Sequence, residues 1–182
     1  MAIVFSLWSL DQQMINNAYV SLGSNLGDRA GYLLLGVRGL LAAGFEVIRL
    51  SSVYETQPVE YTDQPRFLNM VAELQGTNLP PPEQVLARML RIEYALGRIR
   101  DVRLGPRTLD LDLLFYKDER RNSDYLHLPH PRLHLRRFVL VPLNELTPTL
   151  LHPVLKQTVA ELLKNTEDDS EVSVWKPNHS NG

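Results

Sequence analysis

The stretch that most limits how this chain can fold is Gly105-Pro106-Arg107-Thr108-Leu109-Asp110-Leu111-Asp112-Leu113-Leu114-Phe115. From Thr108 onward, Leu109, Leu111, Leu113 and Phe115 fall in one phase and Thr108, Asp110, Asp112 and Leu114 in the other, the period of a half-buried strand. Asp110 and Asp112 therefore point the same way, about 6.6 Å apart along the backbone. Carboxylates this close repel each other unless a cation lies between them, and a hard divalent ion is the usual partner. Upstream, Arg98, Arg100, Arg103 and Arg107 bring four guanidinium groups into ten residues broken by Gly97, Gly105 and Pro106, a loop composition. An acidic pair beside an arginine-rich loop can hold a metal-bound polyphosphate. A D-x-D motif alone carries little weight, since two solvated side chains on a polar face give the same pattern.

With 182 residues, 44% of them hydrophobic, the chain can bury one sizeable core, and its length argues for a single domain. The net charge of −2 provides no overall basic field to draw it to nucleic acid or an anionic membrane. There is no cysteine, which excludes disulfides, thiolate metal sites and cysteine catalysis and fits a cytoplasmic protein. Met1 to Leu10 is apolar but lacks a basic start and is too short to span a bilayer. The expected organisation is an N-terminal extension over 1–17, one catalytic domain over 18–164 and a disordered tail over 165–182, acting as a monomer.

In order, Ala18 to Leu22 reads as a strand, and Gly23 to Asp28 as a turn leading into a helix. Leu33, Leu34, Val37, Leu40 and Leu41 form its apolar stripe, and Gly44 ends it. A second strand is expected over Phe45 to Tyr54, then a long proline-stiffened loop to Pro65. From Phe67 to Gln75, Leu68, Met70, Ala72 and Leu74 fill one strand face, with Phe67 and Asn69 on the other. An aromatic plane beside an amide suits a flat, hydrogen-bonding heterocycle, although on local grounds Phe67 packing under the preceding loop and Asn69 capping a backbone group accounts for them somewhat better. Pro80-Pro81-Pro82-Glu83 opens a helix with Val85, Met89, Ile92 and Leu96 on its stripe. Glu93 lies off that stripe, near an end where an acid opposes the helix dipole. Lys117 to Asp124 is a charged hairpin tip. Leu126 to Phe138 gathers three histidines and three arginines, which suit phosphate contact better than metal ligation because Pro129 and Pro131 prevent a ligand-aligning helix. Phe138 to Leu143 reads as core and Leu155 to Leu163 as a closing helix.

Five blocks resemble, in order and spacing, the hydroxymethyl-dihydropterin pyrophosphokinase family. They are Val20-Ser21-Leu22-Gly23-Ser24-Asn25-Leu26-Gly27-Asp28; Ser52 to Tyr54 with Thr56 and Pro58; Gln64-Pro65 with Phe67-Leu68-Asn69; Gly97-Arg98 through Gly105-Pro106-Arg107-Thr108-Leu109-Asp110-Leu111-Asp112; and Leu128-Pro129-His130-Pro131-Arg132 with Arg136 and Phe138. The resemblance implies an α/β (α+β) fold with a ferredoxin-like βαββαβ core, αβα layers around a mostly antiparallel sheet. It implies transfer of pyrophosphate from ATP to the hydroxymethyl group of a dihydropterin, releasing AMP. Asp110 and Asp112 would hold two Mg²⁺ ions, and Arg98 and Arg107 would contact the transferring group. Thr56, Gln57, Val59, Phe67, Asn69 and Phe138 would bind the pterin, with the two phenylalanines sandwiching it. Glu93, Arg100, Arg103, Leu113, His130 and Arg136 would bind ATP. Leu104 stands where some members carry tryptophan, and Asp101 where a basic residue can occur. The composition of 97–106 is that of a lid that closes over bound substrates. Two other readings compete: a different Mg²⁺-dependent nucleotidyl transferase, and an RNA-recognition module with the same element order.

Overall fold

The structure is a computed structural model that describes residues 17–59, 62–98 and 105–177. Arg100 and Arg103, the expected nucleotide contacts in the arginine loop, lie outside the described residues, as do Asp101, Leu104 and most of the expected lid. The elements run β1 (Ala18–Ser24), α1 (Arg29–Ala42), β2 (Val47–Leu50), β3 (Tyr54–Thr56), β4 (Phe67–Leu74), α2 (Pro82–Ala95) and β5 (Asp110–Tyr116). A small hairpin follows, β6 (Arg121–Asn122) with β7 (His127–Leu128), then α3 (Arg137–Leu146), α4 (Val159–Asn165) and β8 (Val172–Val174).

Across the main sheet the order is β5-β1-β4-β3-β8, with β2 also on β4 and each of these pairings antiparallel. Taking β2 and β3 as one interrupted strand, β1 to β5 give the expected βαββαβ core. Helices α1 and α2 pack on one face, where Leu33, Leu40, Val85 and Met89 meet Val20, Leu22, Met70, Leu109 and Leu111. Helices α3 and α4 cover part of the other face, where Leu140, Leu143 and Leu162 meet Tyr19, Val71, Leu114 and Phe115.

Several local expectations are corrected. Leu34 and Leu41 are 67% and 51% exposed; the inward stripe of α1 is Leu33, Gly36 and Leu40, because Gly36, invisible to an apolar count, packs against Leu109 and Leu22. The strand expected over 45–54 is broken at Ser51, whose hydroxyl accepts the Val71 N–H (2.9 Å), and Ser52, whose N–H turns to the Glu145 carboxylate on α3 (2.9 and 3.0 Å). Phe115 leaves the phase of Leu109, Leu111 and Leu113. Val20 pairs with Leu113 and Tyr19 with Phe115, so Leu114 is an extra residue, a β-bulge that turns Phe115 to the α3 side. The closing helix starts at Val159 because Thr158 and Glu161 form a capping box. The segment expected to be disordered from residue 165 contains β8, with Val172 opposite Thr56 and Val174 opposite Tyr54, and Trp175 packs against the core.

Candidate active site

The end of β1, the end of β3 and the starts of β4 and β5 meet at one edge of the sheet. Asp110, Gly23 and Asn69 are successive cross-strand partners, and Tyr54 continues the row on β3. Directly paired residues share a face, so an acid and an amide stand on either side of a glycine. Their strands are two spacings, about 9.6 Å, apart. A Cβ on Gly23 would sit 2.9 Å from Asn69 Oδ1, so glycine keeps this floor clear. Thr56 pairs with Phe67 in the next row, and Asn69 Nδ2 donates to the buried Thr56 Oγ1 at 2.8 Å. In the row below, Asp112 pairs with Ser21 and Ser21 with Val71, which lies under α3. The sheet thus carries Phe67, Asn69, Thr56, Asp110 and Asp112 on one face.

The charges of this face interlock. Asp110 Oδ1 lies 2.5 Å from Arg98 Nη1, and Asp110 Oδ2 lies 2.6 Å from Arg107 Nη1. Arg98 is paired as well with Glu93. The Arg107 guanidinium also lies 5.5 Å from the centre of the Phe67 ring, joining the acidic half of the face to the aromatic half. Arg136 stands 5.5 Å from the ring of Phe138, at the start of α3. Burial, reinforced by the charge of Asp110, pushes the Asp112 carboxyl up to about 6, against the pull of Arg136 and Arg98. A buried carboxyl beside a second one suits a cation site. Among the described residues no group of three His, Cys, Asp or Glu side chains could hold a metal; what this face offers a cation is a pair of hard carboxylates. Such a pair fits Mg²⁺, which completes its shell with water and substrate phosphates, and not zinc, which takes three or four protein ligands.

His130 reaches the site through the bulge, its N–H donating to the Leu114 carbonyl at 2.9 Å. Burial, then Arg136 and Arg132, lower its pKa to about 4, leaving a neutral imidazole whose Nδ1 accepts the Arg132 N–H at 3.2 Å. The other nitrogen is then the donor.

Other expected site residues fall differently. Glu93 is 2% exposed and accepts the Leu111 N–H at 2.7 Å, so its carboxylate supports strand and arginine from beneath. The Leu113 side chain is buried on the α1/α2 side of the sheet, opposite the aspartates. Gln57 and Val59 lie exposed in the loop after β3. Asn25, only part of a motif in the sequence, is a junction: 1% exposed, it accepts the Arg107 N–H (2.8 Å) and donates to Gln64 Oε1 (3.0 Å) and the Pro65 carbonyl (3.1 Å). The glycine-bracketed turn around it gave the only signal, and the turn also caps α1 through Asp28, which accepts the Gly31 N–H at 3.0 Å.

Comparison with known proteins identifies the family. Residues 19–148 match the family described as 7,8-dihydro-6-hydroxymethylpterin-pyrophosphokinase (HPPK). The chain is 44% identical over 164 residues to the 2-amino-4-hydroxy-6-hydroxymethyldihydropteridine pyrophosphokinase of Bacillus subtilis (strain 168), covering 90% of this chain and 92% of that protein. To the enzyme of the same name from Aquifex aeolicus (strain VF5) it is 36% identical over 143 residues, covering 79% and 88%. Among solved structures, the HPPK-DHPS of Plasmodium falciparum (A437G, with STZ-DHP) superposes with a TM-score of 0.65 at 15% identity, covering 86% of this chain and 46% of that one, a likeness of fold. Neither competing reading, nucleotidyl transferase or RNA-recognition module, is favoured by these matches. The chain belongs to the 7,8-dihydro-6-hydroxymethylpterin-pyrophosphokinase family.

Proposed function

We propose that the described face performs the family's reaction, with 6-hydroxymethyl-7,8-dihydropterin on its aromatic half and the ATP polyphosphate on its acidic half. The protein is an ATP-dependent pyrophosphokinase of folate biosynthesis; the division of labour among its residues is our reading. The observation that carries it is the row Asn69–Gly23–Asp110 with Arg107 beside both Phe67 and Asp110. It supports the reading because an amide and an aromatic ring, suited to a heterocycle, share one surface with guanidinium and carboxylate groups suited to a metal-bound polyphosphate.

In this reading Phe67 and Phe138 stack the pterin, and Asn69, held by Thr56, reads its edge. Gln57 and Val59 supply the loop above. The hydroxymethyl oxygen attacks the β-phosphorus of ATP, the bond from that phosphorus to the α–β bridging oxygen breaks, AMP leaves with the electron pair, and the hydroxyl proton is released. Arg98 and Arg107 balance the charge of the group in transit, as phosphoryl transfer requires of its surroundings. His130, as a neutral donor, Arg136, Arg100, Arg103 and the Leu113 backbone hold the nucleotide. Asp110 and Asp112 would hold two Mg²⁺ ions, whose charge would offset that of the phosphates. Glu93 acts through Arg98 and β5, not on ATP directly. The arginine loop serves as the lid, residues 18–164 form the catalytic unit, and the protein works as a cytoplasmic monomer on small molecules. Among the described residues no helix is long and apolar enough to cross a membrane.

Phosphorus NMR of the products tests the assignment. AMP and a pterin diphosphate carrying two coupled phosphorus signals are expected. ADP with a pterin monophosphate, or free pyrophosphate with an adenylylated pterin, would contradict it.

A further inference from the structure

Beyond the residues that match the family, Thr166 to Trp175 leaves α4 and crosses to the far edge of the sheet, meeting the first turn of α3 at one point and β3 at another. At one side Asp168 Oδ2 accepts the N–H of Arg137 at 2.6 Å, at the first turn of α3. That helix has no side-chain cap of its own, since its N-cap position is Arg136. Asp168 therefore supplies, from a distant segment, the acceptor that a helix start ordinarily takes from its own N-cap residue. It is itself held by Ser170, whose N–H donates to Oδ1 at 3.0 Å. The turn it secures carries Arg136 and Phe138.

At the other side the segment becomes β8. Thr56 pairs with Phe67 on one flank and with Val172 on the other. Directly paired residues share a face, so Val172, Thr56 and Phe67 form one row on the face that carries Asn69 and Asp110. The Trp175 N–H donates to the Val53 carbonyl at 2.8 Å and its side chain packs on the core, anchoring the far end. Glu171 also reaches Arg66, the neighbour of Phe67, at 3.8 Å.

We propose that residues 166–175 are a strap that completes the pterin side of the site, with Val172 as its outer apolar wall and Asp168 as the positioning residue that fixes Phe138 and Arg136 through the first turn of α3. This rests on the assignment of the aromatic half to the pterin. Without the strap, β3 would be an open sheet edge beside Thr56 and the first turn of α3 would lose an acceptor for an N–H group.

Calorimetric titration separates the two contacts. The dihydropterin is titrated into protein saturated with Mg²⁺ and α,β-methylene ATP, and the nucleotide analogue into protein with Mg²⁺ alone, using wild type, Val172→Lys, Asp168→Ala and Asp168→Asn. Val172→Lys is expected to weaken pterin binding by about tenfold, since a charged ammonium group replaces the apolar wall and would be desolvated when the ligand binds, and to leave nucleotide affinity within about twofold. Asp168→Ala is expected to weaken both ligands by about fivefold, as for a lost helix cap. Asp168→Asn, which keeps an acceptor, stays within about twofold of wild type. Should Val172→Lys misfold by circular dichroism, the Asp168 pair still decides, because a merely stabilising contact would lower the unfolding temperature without changing either affinity. Unchanged pterin affinity in Val172→Lys and Asp168→Ala would overturn the strap. Failure of wild type to bind the dihydropterin at all would instead overturn the assignment on which it rests.

Discussion

Asn25 and Arg107 bind each other reciprocally: the Asn25 side chain accepts the Arg107 N–H at 2.8 Å, and the Asn25 N–H donates to the Arg107 carbonyl at 3.1 Å. The same amide group holds Gln64 and Pro65, just before Phe67. One buried side chain thus sets the arginine beside the acids and the approach to the aromatic strand together. Asn25→Ala leaves buried groups unpaired, at a cost of about 1–3 kcal/mol. It should lower the unfolding temperature by about 5 °C in a chain of this size. Steady-state kinetics should show kcat/KM reduced for both substrates by more than the stability loss alone would give. A change confined to one substrate would mean the two loops are set independently.

Gly23 is the clear floor between Asn69 and Asp110. In Gly23→Ala the new methyl group would press on Asn69 Oδ1, at 2.9 Å before relaxation, and loosen its bond to Thr56. Overpacking of this kind costs about 1–3 kcal/mol. The KM for the pterin should rise by about tenfold while that for ATP stays within about twofold. An equal rise in both would place the glycine's role elsewhere.

Asp112 links stability to pH in a definite direction. Its carboxyl ionises near 6 in the folded protein and near 4 when unfolded, as an ordinary aspartate does. The folded state binds more protons between these values, so this group's contribution to stability is greatest below about pH 4, falls as pH rises towards 6 and is level above. Asp112→Asn should therefore stabilise the protein at pH 7 in EDTA by an amount on the order of 2 kcal/mol, read as a higher unfolding temperature. The gain should shrink towards pH 4, and activity should be lost. A variant no more stable than wild type at pH 7 would show that burial and the neighbouring Asp110 do not disfavour the charged form of Asp112.

Glu93 is the buried support of the arginine. Glu93→Ala removes the acceptor of the Leu111 N–H and the partner of Arg98, and urea unfolding should show a loss of about 3–5 kcal/mol. Glu93→Gln keeps an acceptor for Leu111 but not the charge for Arg98. It should retain most of the stability while kcat falls by about tenfold, on the order of one weakened charge-assisted bond. Normal kcat in Glu93→Gln would leave Glu93 a purely structural role.

The acid strand, the Phe67–Leu74 strand and the helix from Pro82 were legible in the sequence because their side chains keep a period of two or of about 3.6 and their ends carry glycine, proline or a cap. Asp110, Asp112, Phe67 and Asn69 share a face because strand alternation alone requires it within each strand, and the antiparallel register then brings the strands together. What failed to show in sequence was made by long-range partners. Ser51 and Ser52 break a β-branched run because their N–H and hydroxyl groups find Val71 and Glu145. Leu114 shifts phase through a bulge that only pairing with β1 reveals. The acidic tail resembled a disordered segment by composition, yet Val172 and Val174 find a free strand edge and Asp168 a helix start. Glu93 read as an oddly placed acid on a helix, and its burial follows from Arg98 and a backbone N–H on another strand.

The most direct test of the central claim is an assay with ATP, Mg²⁺ and 6-hydroxymethyl-7,8-dihydropterin that resolves AMP from ADP, run on wild type beside Asp110→Ala and Asp112→Ala. The account predicts AMP in equal amount to pterin diphosphate, formed only when pterin is present and lost in both variants by a factor of at least about a thousand, as expected when a metal ligand to the transferred group is removed. AMP formation that persists in either variant, or ADP as the product, would contradict the assignment of Asp110 and Asp112 to the metal-bound polyphosphate.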